Sequence, residues 1–227
     1  MLQAIDAYCE RLGPEYWAEP VNAVSNLAFL LAAFVMWRRV RGQGMPLAMA
    51  LVVNLAVIGV GSWLFHTHAQ RWSAIADVLP IGVFILLYLY AANRVYWRLP
   101  LWGAVAATAA FVPYAAVMVP VFARVPELGS SAGYAPVPLL IGIYALALWR
   151  RLPQVAQGLA VGAWVLVVSL AFRTLDAPLC AAFPQGMHFL WHLMNALMLG
   201  WMIEVLRRHL LALRDIPRDA GPKGATP

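Results

Sequence analysis

The sequence predicts an all-α membrane protein, with seven transmembrane helices in a single bundle. Of its 227 residues, 63% are hydrophobic and only 11% are charged, whereas soluble domains average about 25% charged residues. Disorder is excluded as well, because disordered chains combine low hydrophobicity with high net charge. At roughly 20 apolar residues per span, the length allows about seven spans and no separate soluble domain.

Apolar runs separated by charge, proline and glycine define the seven elements in order. Most of these runs are long enough to cross roughly 30 Å of hydrocarbon as helices. The predicted helices cover residues 21–37, 46–66, 77–93, 101–122, 135–149, 156–173 and 187–206. They form one domain, residues 1–213, and residues 214–227 are predicted to be a disordered tail.

The basic residues are divided unequally between the two ends of this bundle. Most of them follow predicted helices 1, 3, 5 and 7, and cytoplasmic segments of membrane proteins carry an excess of Lys and Arg. We therefore predict a multi-pass protein of the lipid bilayer, with its N-terminus outside and its C-terminus in the cytoplasm. The net charge of +6 is attributed to this orientation signal and not to nucleic-acid binding.

Four of the five histidines lie at the predicted outer end. On predicted helix 7, His188 and His192 have the i, i+4 spacing, which places both imidazoles on one face and close enough to hold one ion. Alternatively, both are interfacial side chains among the neighbouring tryptophans. On predicted helix 2, His66 ends at the same depth, whereas His68 is two residues further on and is expected to point away as a spectator.

With His66 facing inward, three imidazoles would meet at one point. Three imidazoles leave one position of a tetrahedral zinc ion open for water, which is the arrangement of catalytic zinc sites. A haem held by His66 and one histidine of predicted helix 7 is an alternative. A retinal protein is excluded, because it needs a lysine within a late helix and the only lysine is Lys223 in the polar tail.

Two further side chains are candidates for chemistry beside the histidines. Ser62 precedes His66 by one turn and could donate a hydrogen bond to an oxyanion, or it could be a small helix-packing residue. Asp77 is predicted to open helix 3 at the same end. It could act as an acid and base at the mouth of a metal cavity, or it could be a charge that favours a helix N-terminus.

Predicted helix 1 carries a polar stripe of Glu19, Asn22 and Asn26 that should face the bundle and not lipid. These side chains could form hydrogen bonds between helices. Alternatively, Glu19 together with Glu10 could belong to an oxygen-ligand site suited to calcium.

On the predicted outer side, two pairs of residues are candidates for direct bonding to each other. Cys9 and Cys180 would form a disulfide in an oxidising compartment, or they are two free thiols. The geometry of the two side chains decides between these alternatives. Arg173 and Asp176 have the i, i+3 spacing and are predicted to form a salt bridge at a helix end.

Three segments of the chain resemble the signature blocks of the alkaline ceramidases. This family belongs to a superfamily of seven-helix membrane hydrolases that includes the adiponectin receptors. The blocks span nearly the whole chain, as in a compact, bacterial-type member. They read EYWAEPVNAVSNLAFL, GVGSWLFHTHAQRWSAIADVLP and HFLWHLMNALMLGW.

The resemblance implies a zinc-dependent amidase that hydrolyses ceramide-like membrane lipids to a sphingoid base or amine and a fatty acid. Carried over residue by residue, it assigns His66, His188 and His192 as zinc ligands, Asp77 as the catalytic aspartate and Ser62 as the oxyanion donor. The alternative is a seven-helix receptor or transport module that holds zinc as a structural element and has no hydrolase activity.

The family's calcium site lies in an acidic segment before the first helix. Glu10 and Glu19 match that site, whereas Ala7 stands where an aspartate is expected. The resemblance therefore implies calcium as a second possible cofactor.

Overall fold

The computed structural model of the chain describes residues 1–214, and its regular elements there are helices, apart from one isolated β-bridge between Ala4 and Gln70. Six helical segments are long and apolar enough to cross a membrane when Pro20–Val40 and Leu101–Phe122 are each counted as one, or seven if one bent pair also forms a single span. The predicted all-helical membrane fold is confirmed for these residues. The tail predicted from residue 214 lies, except for its first residue, outside the described residues. Which end of the bundle faces the cytoplasm stays a prediction.

The helices follow the predicted order, with two predicted spans each divided in two. In chain order they are α1 (Pro20–Ser25), α2 (Leu27–Val40), α3 (Pro46–His68), α4 (Arg71–Val95), α5 (Leu101–Ala109), α6 (Phe111–Phe122), α7 (Pro136–Leu148), α8 (Pro153–Leu175) and α9 (His188–Arg214).

The first predicted helix is broken at Asn26. Its side-chain amide donates hydrogen bonds to the carbonyls of Asn22, at 2.8 Å, and Ala23, at 3.4 Å. Such local bonds compete with the regular helical ladder, because the side chain takes acceptors that the ladder would use. The result is a short α1 that is set apart from α2 and carries several polar side chains.

The fifth predicted span, residues 135–149, corresponds to α7, which follows a 3-10 helix at a sharp bend. A 3-10 helix, Pro126–Gly133, meets α7 at 72°. With 13 residues, α7 is only about 20 Å long, which is shorter than the hydrocarbon layer. The bend places Tyr134 against Trp191 of α9, with 5.3 Å between the ring centroids.

The helix that carries Asp77 starts earlier than predicted. Gln70 and Ser73 form a capping box that begins α4 at Arg71, because these side chains satisfy amides that the first helical turn leaves unpaired. Asp77 therefore lies in the second turn, and the prediction that it opens the helix is wrong. Only Ala69 and Gln70 separate α3 from α4, so the end of α3 lies beside the start of α4.

The last helix, α9, is the centre of the bundle. It packs against α2, α3 and α8 and supplies buried residues such as Leu199, Ile203 and Leu206 to the core. By contrast, α5 and α6 contribute only Ala104 to the buried set of the described residues. The interior next to the first turns of α9 is therefore enclosed mainly by α1, α3, α4 and α8.

Candidate metal centre

Three histidines meet at one end of the bundle, which we call the histidine end. His66 comes from the last turn of α3, and His188 and His192 come from the first two turns of α9. Each is at most 2% exposed, and each offers a ligand nitrogen within 4.8 Å of the other two. Within residues 1–214, this is the one group of three or more His, Cys, Asp or Glu side chains that could hold a metal ion.

Nδ1 of His188 and Nε2 of His192 are buried and have no hydrogen-bond partner. A buried polar atom without a partner costs about 1–3 kcal/mol, and coordination to a metal would offset this cost. The donor set therefore fits a metal ion. The three rings pack directly against one another, with centroids 4.6–5.2 Å apart. Contacts this close leave no space for a haem between two of them.

Neighbouring side chains orient two of the three imidazoles. Nδ1 of His192 lies 2.7 Å from Oγ of Ser25, and Nδ1 of His66 lies 2.6 Å from Oε2 of Glu19. Metal-binding histidines usually have such a partner on the other ring nitrogen, because it fixes the tautomer and the orientation of the ring. The polar face of the first span thus supports the histidines of α3 and α9.

Glu19 is the residue at which several of these supporting contacts meet. It is 2% exposed, and its carboxylate accepts hydrogen bonds from His66, Arg11 and Asn22. Burial alone would raise the pKa of Glu19, but the hydrogen bonds from His66 and Arg11 outweigh it and hold this pKa below its ordinary value. Glu19 is therefore a carboxylate beside His66, and the predicted inward-facing polar stripe is confirmed.

Ser62, Asp77 and His192 line one cavity. This arrangement depends on a close approach of α3 and α4. At Gly61 the two helices are so close that a Cβ atom there would collide with the carbonyl oxygen of Ala76. The structure thus brings both predicted catalytic side chains to the histidines. Asp77 is not part of the three-histidine group.

A second, apolar cavity, which we call the apolar channel, lies next to this one and further from the histidine end. It shares lining residues with the first cavity and extends past Tyr88 and Tyr144. The residues common to both cavities are Ile85, Val137, Met198 and Leu199. Sequence reasoning missed this channel, because its lining residues follow the same apolar pattern as core residues.

A comparison with known protein families shows which family the chain belongs to. The family model described as Ceramidase matches residues 7–215, nearly the whole chain. The chain belongs to the ceramidase family. Membership implies a hydrolase that acts on amide bonds, and it confirms the resemblance first seen in three sequence blocks. A search of curated proteins finds no match to the chain.

In this ceramidase-family chain, the N-terminal segment folds back over the histidines. Cys9 is joined to Cys180 by a disulfide, with 5.4 Å between the Cα atoms. The ring of Tyr8 stacks on His188 at 3.7 Å between centroids, and burial raises the pKa of its phenol, which is therefore neutral near pH 7. Sequence reasoning missed Tyr8, because an irregular segment has no periodicity that predicts its contacts.

Asp176 organises the start of α9. Its carboxylate accepts hydrogen bonds from the amides of Met187, His188 and Cys9 at 2.6–3.1 Å. Amides at a helix N-terminus have no partner within the helix and attract a carboxylate. The predicted salt bridge between Asp176 and Arg173 is therefore wrong. His68, by contrast, is exposed and lies outside the histidine group, as predicted for a spectator.

The two carboxylates predicted for calcium already have partners within the chain. Both oxygens of Glu10 accept hydrogen bonds from the amides of Val21 and Asn22, at 2.6 and 2.8 Å. Glu19 is engaged by the side chains described above. Calcium requires six to eight oxygen ligands, and these two residues do not form part of such a set. The described residues do not support the calcium prediction.

A buried arginine supplies the positive charge at this position. The side chain of Arg11 is 5% exposed, and its Nε lies 2.5 Å from Oε1 of Glu19. The same guanidinium donates to the carbonyls of Gly13, at 3.1 Å, and His66, at 3.0 Å. These carboxylate and carbonyl oxygens could suit a metal cation, but they already bind the guanidinium of Arg11.

We expect millimolar calcium to leave the thermal midpoint, Tm, of the purified wild-type protein unchanged. Arg11→Ala should instead lower Tm by roughly 10 °C, because removing one partner of a buried ion pair costs about 3–5 kcal/mol. Arg71→Ala, an exposed arginine at the same end, is the control and should have little effect. Thermal unfolding of the three proteins with and without calcium measures this, and a clear rise in wild-type Tm with calcium would contradict it.

Proposed function

We propose that this protein is an intramembrane zinc-dependent amidase. Its substrates are ceramide-like N-acyl lipids, and its products are a sphingoid base or amine and a fatty acid. The observation that carries this proposal is the position of three buried, metal-competent histidines beside a cavity that Ser62, Asp77 and His192 line and that shares lining residues with the apolar channel. Membership of the ceramidase family supports the reaction class.

Zinc is proposed because three imidazoles with one open position are the ligand set of catalytic zinc sites. When bound, zinc polarises a carbonyl group and lowers the pKa of a water molecule to near neutrality. Glu19 and Ser25 hold His66 and His192 in the orientation that this binding requires. Burial of all three histidines keeps bulk water away from them and strengthens electrostatic interactions within the site.

Asp77 is proposed as the general base and acid. Its carboxylate takes a proton from the attacking water as the oxygen–carbon bond forms at the amide carbonyl. It then returns this proton to the amide nitrogen as the carbon–nitrogen bond breaks. The hydroxyl of Ser62 donates a hydrogen bond to the carbonyl oxygen, where negative charge develops during the attack.

The apolar channel is proposed to hold the acyl chain. It is lined by side chains such as Phe84, Met198 and Met202, and each methylene that is buried there contributes about 0.8 kcal/mol. This apolar contact positions the amide bond, because the shared residues Ile85 and Leu199 connect the channel to the cavity of Asp77.

The test is the release of fatty acid from defined N-acyl lipids, such as an N-acyl sphingosine, by the purified, zinc-loaded protein. We expect hydrolysis by the wild type and by His68→Ala, which replaces an exposed histidine outside the metal group. If the protein holds one zinc ion per chain but hydrolyses no lipid amide, the receptor or transport module is the better description.

A further inference from the structure

Arg173, near the end of α8, is a partly buried cation, and within the described residues no acidic group lies within ion-pair distance of it. Its predicted partner, Asp176, is used by the amides at the start of α9. Within residues 1–214, every ion pair involves other groups, namely Glu19 with Arg11 and His66, and Glu204 with three other arginines. The charge of Arg173 is therefore not paired directly with an acid within the described residues, although Asp77 lines the same cavity and acts on it electrostatically at longer range.

Three aromatic rings surround the guanidinium of Arg173. Its Cζ atom lies 5.8 Å from the ring centroid of Tyr8, 5.3 Å from that of Tyr134 and 5.6 Å from that of Trp191. Ring faces attract a cation, but they accept few conventional hydrogen bonds. The guanidinium is thus held in place while its N–H donors, five in all, remain available to a ligand.

Arg173 lines a third cavity, at the histidine end. Asp77 lines this cavity as well as the cavity of Ser62 and His192, and Tyr134 and Trp191 also belong to both. The three cavities therefore form a series, in which the apolar channel is followed by the proposed catalytic groups and then by Arg173. A lipid amide with its acyl chain in the channel would place its headgroup beside Arg173.

We infer that Arg173 binds a carboxylate on the headgroup of the substrate, so that the preferred substrates are acidic N-acyl lipids, such as N-acyl amino acids. This inference rests on the proposed function. The planar guanidinium matches a carboxylate with two parallel hydrogen bonds. It also offsets the repulsion between that carboxylate and Asp77. A neutral headgroup cannot form this charge-assisted pair with the guanidinium.

The test compares two substrates that differ at one headgroup substituent. N-palmitoylserine carries a carboxylate, and N-palmitoylserinol carries an uncharged hydroxymethyl group in its place. Hydrolysis adds water across the amide bond of each, giving palmitate together with serine or serinol. We expect wild-type kcat/KM to be about 10- to 100-fold higher for the acid, mainly through KM, because a charge-assisted pair contributes that much. Arg173→Gln should abolish this preference, because it should slow hydrolysis of the acid by a much larger factor than hydrolysis of the neutral lipid.

Two further variants separate binding from folding. Arg173→Lys retains the charge without the planar fork, so it should keep part of the preference. Arg71→Gln, an exposed arginine that does not line the cavity, should keep all of it. If the wild type hydrolyses both substrates equally well, or if Arg173→Gln slows both by the same factor, the inference is overturned.

A binding measurement makes the inference independent of hydrolysis. In an Asp77→Asn background, the acid lipid should raise Tm more than the neutral lipid, and adding Arg173→Gln should remove the difference. This result would support an acid-binding site even if no lipid amide were hydrolysed. If Arg173→Gln instead weakens inhibition by palmitate and leaves the substrate preference intact, the bound anion is the fatty-acid product, and the headgroup assignment is wrong.

Discussion

Asp77→Asn is expected to lower kcat for lipid amide hydrolysis by about 10²- to 10⁴-fold, which is the usual contribution of a positioned general acid or base. Asparagine has nearly the shape of aspartate, so the cavity beside Ser62 and His192 should keep its form. The amide cannot accept the proton of the attacking water, and the step that needs a base is therefore slowed.

The same variant should keep its metal. Asp77 is not one of the residues that gather into the metal-competent group, so zinc content should stay near that of the wild type. Metal analysis and single-turnover hydrolysis on the same preparation measure both quantities. Asp6→Asn, an exposed acid of the N-terminal segment, is the matched control. Full activity in Asp77→Asn would exclude Asp77 as the acid and base, whereas loss of metal would show that it acts as a ligand.

The metal group could be predicted from sequence because periodicity fixes part of its geometry. The i, i+4 spacing of His188 and His192 determines that both lie on one face of α9, whatever surrounds the helix. His66 could be added because the end of a transmembrane helix has a defined depth. The same periodicity separated His66 from His68, which is exposed.

The surroundings of the metal group could not be predicted in this way. The sequence leaves Glu19 with two possible roles, hydrogen bonding between helices or calcium binding, because a carboxylate before a helix has no sequence signal for its partner. Only the folded segment shows that Arg11 fills the place of a cation and that Glu19 reaches His66, 47 residues away. Asp176 was paired with Arg173 by spacing alone. The unpaired amides of α9, brought close by the loop before that helix, are its partners instead.

His188→Ala is expected to reduce bound zinc from about one ion per chain to a small fraction of that and to abolish hydrolysis. Two imidazoles then remain where three could bind, which is fewer protein ligands than catalytic zinc sites use. The change also removes the stacking partner of Tyr8, so circular dichroism and Tm must show that the variant is folded. Metal analysis after dialysis against a weak chelator measures the loss, and His68→Ala serves as the exposed-histidine control.

Ser25→Ala keeps all three histidines and removes only a side chain that orients one of them, His192. Oγ of Ser25 contacts Nδ1 of His192 but is not a member of the metal-competent group. Removing such an orienting partner typically weakens metal affinity by about 10- to 100-fold. We therefore expect Ser25→Ala to lose zinc at lower chelator concentrations than the wild type and to regain activity when zinc is added, whereas His188→Ala should not recover. If His188→Ala retains stoichiometric zinc, the three histidines are not the metal site, because the remaining ligands would then have to come from elsewhere in the chain.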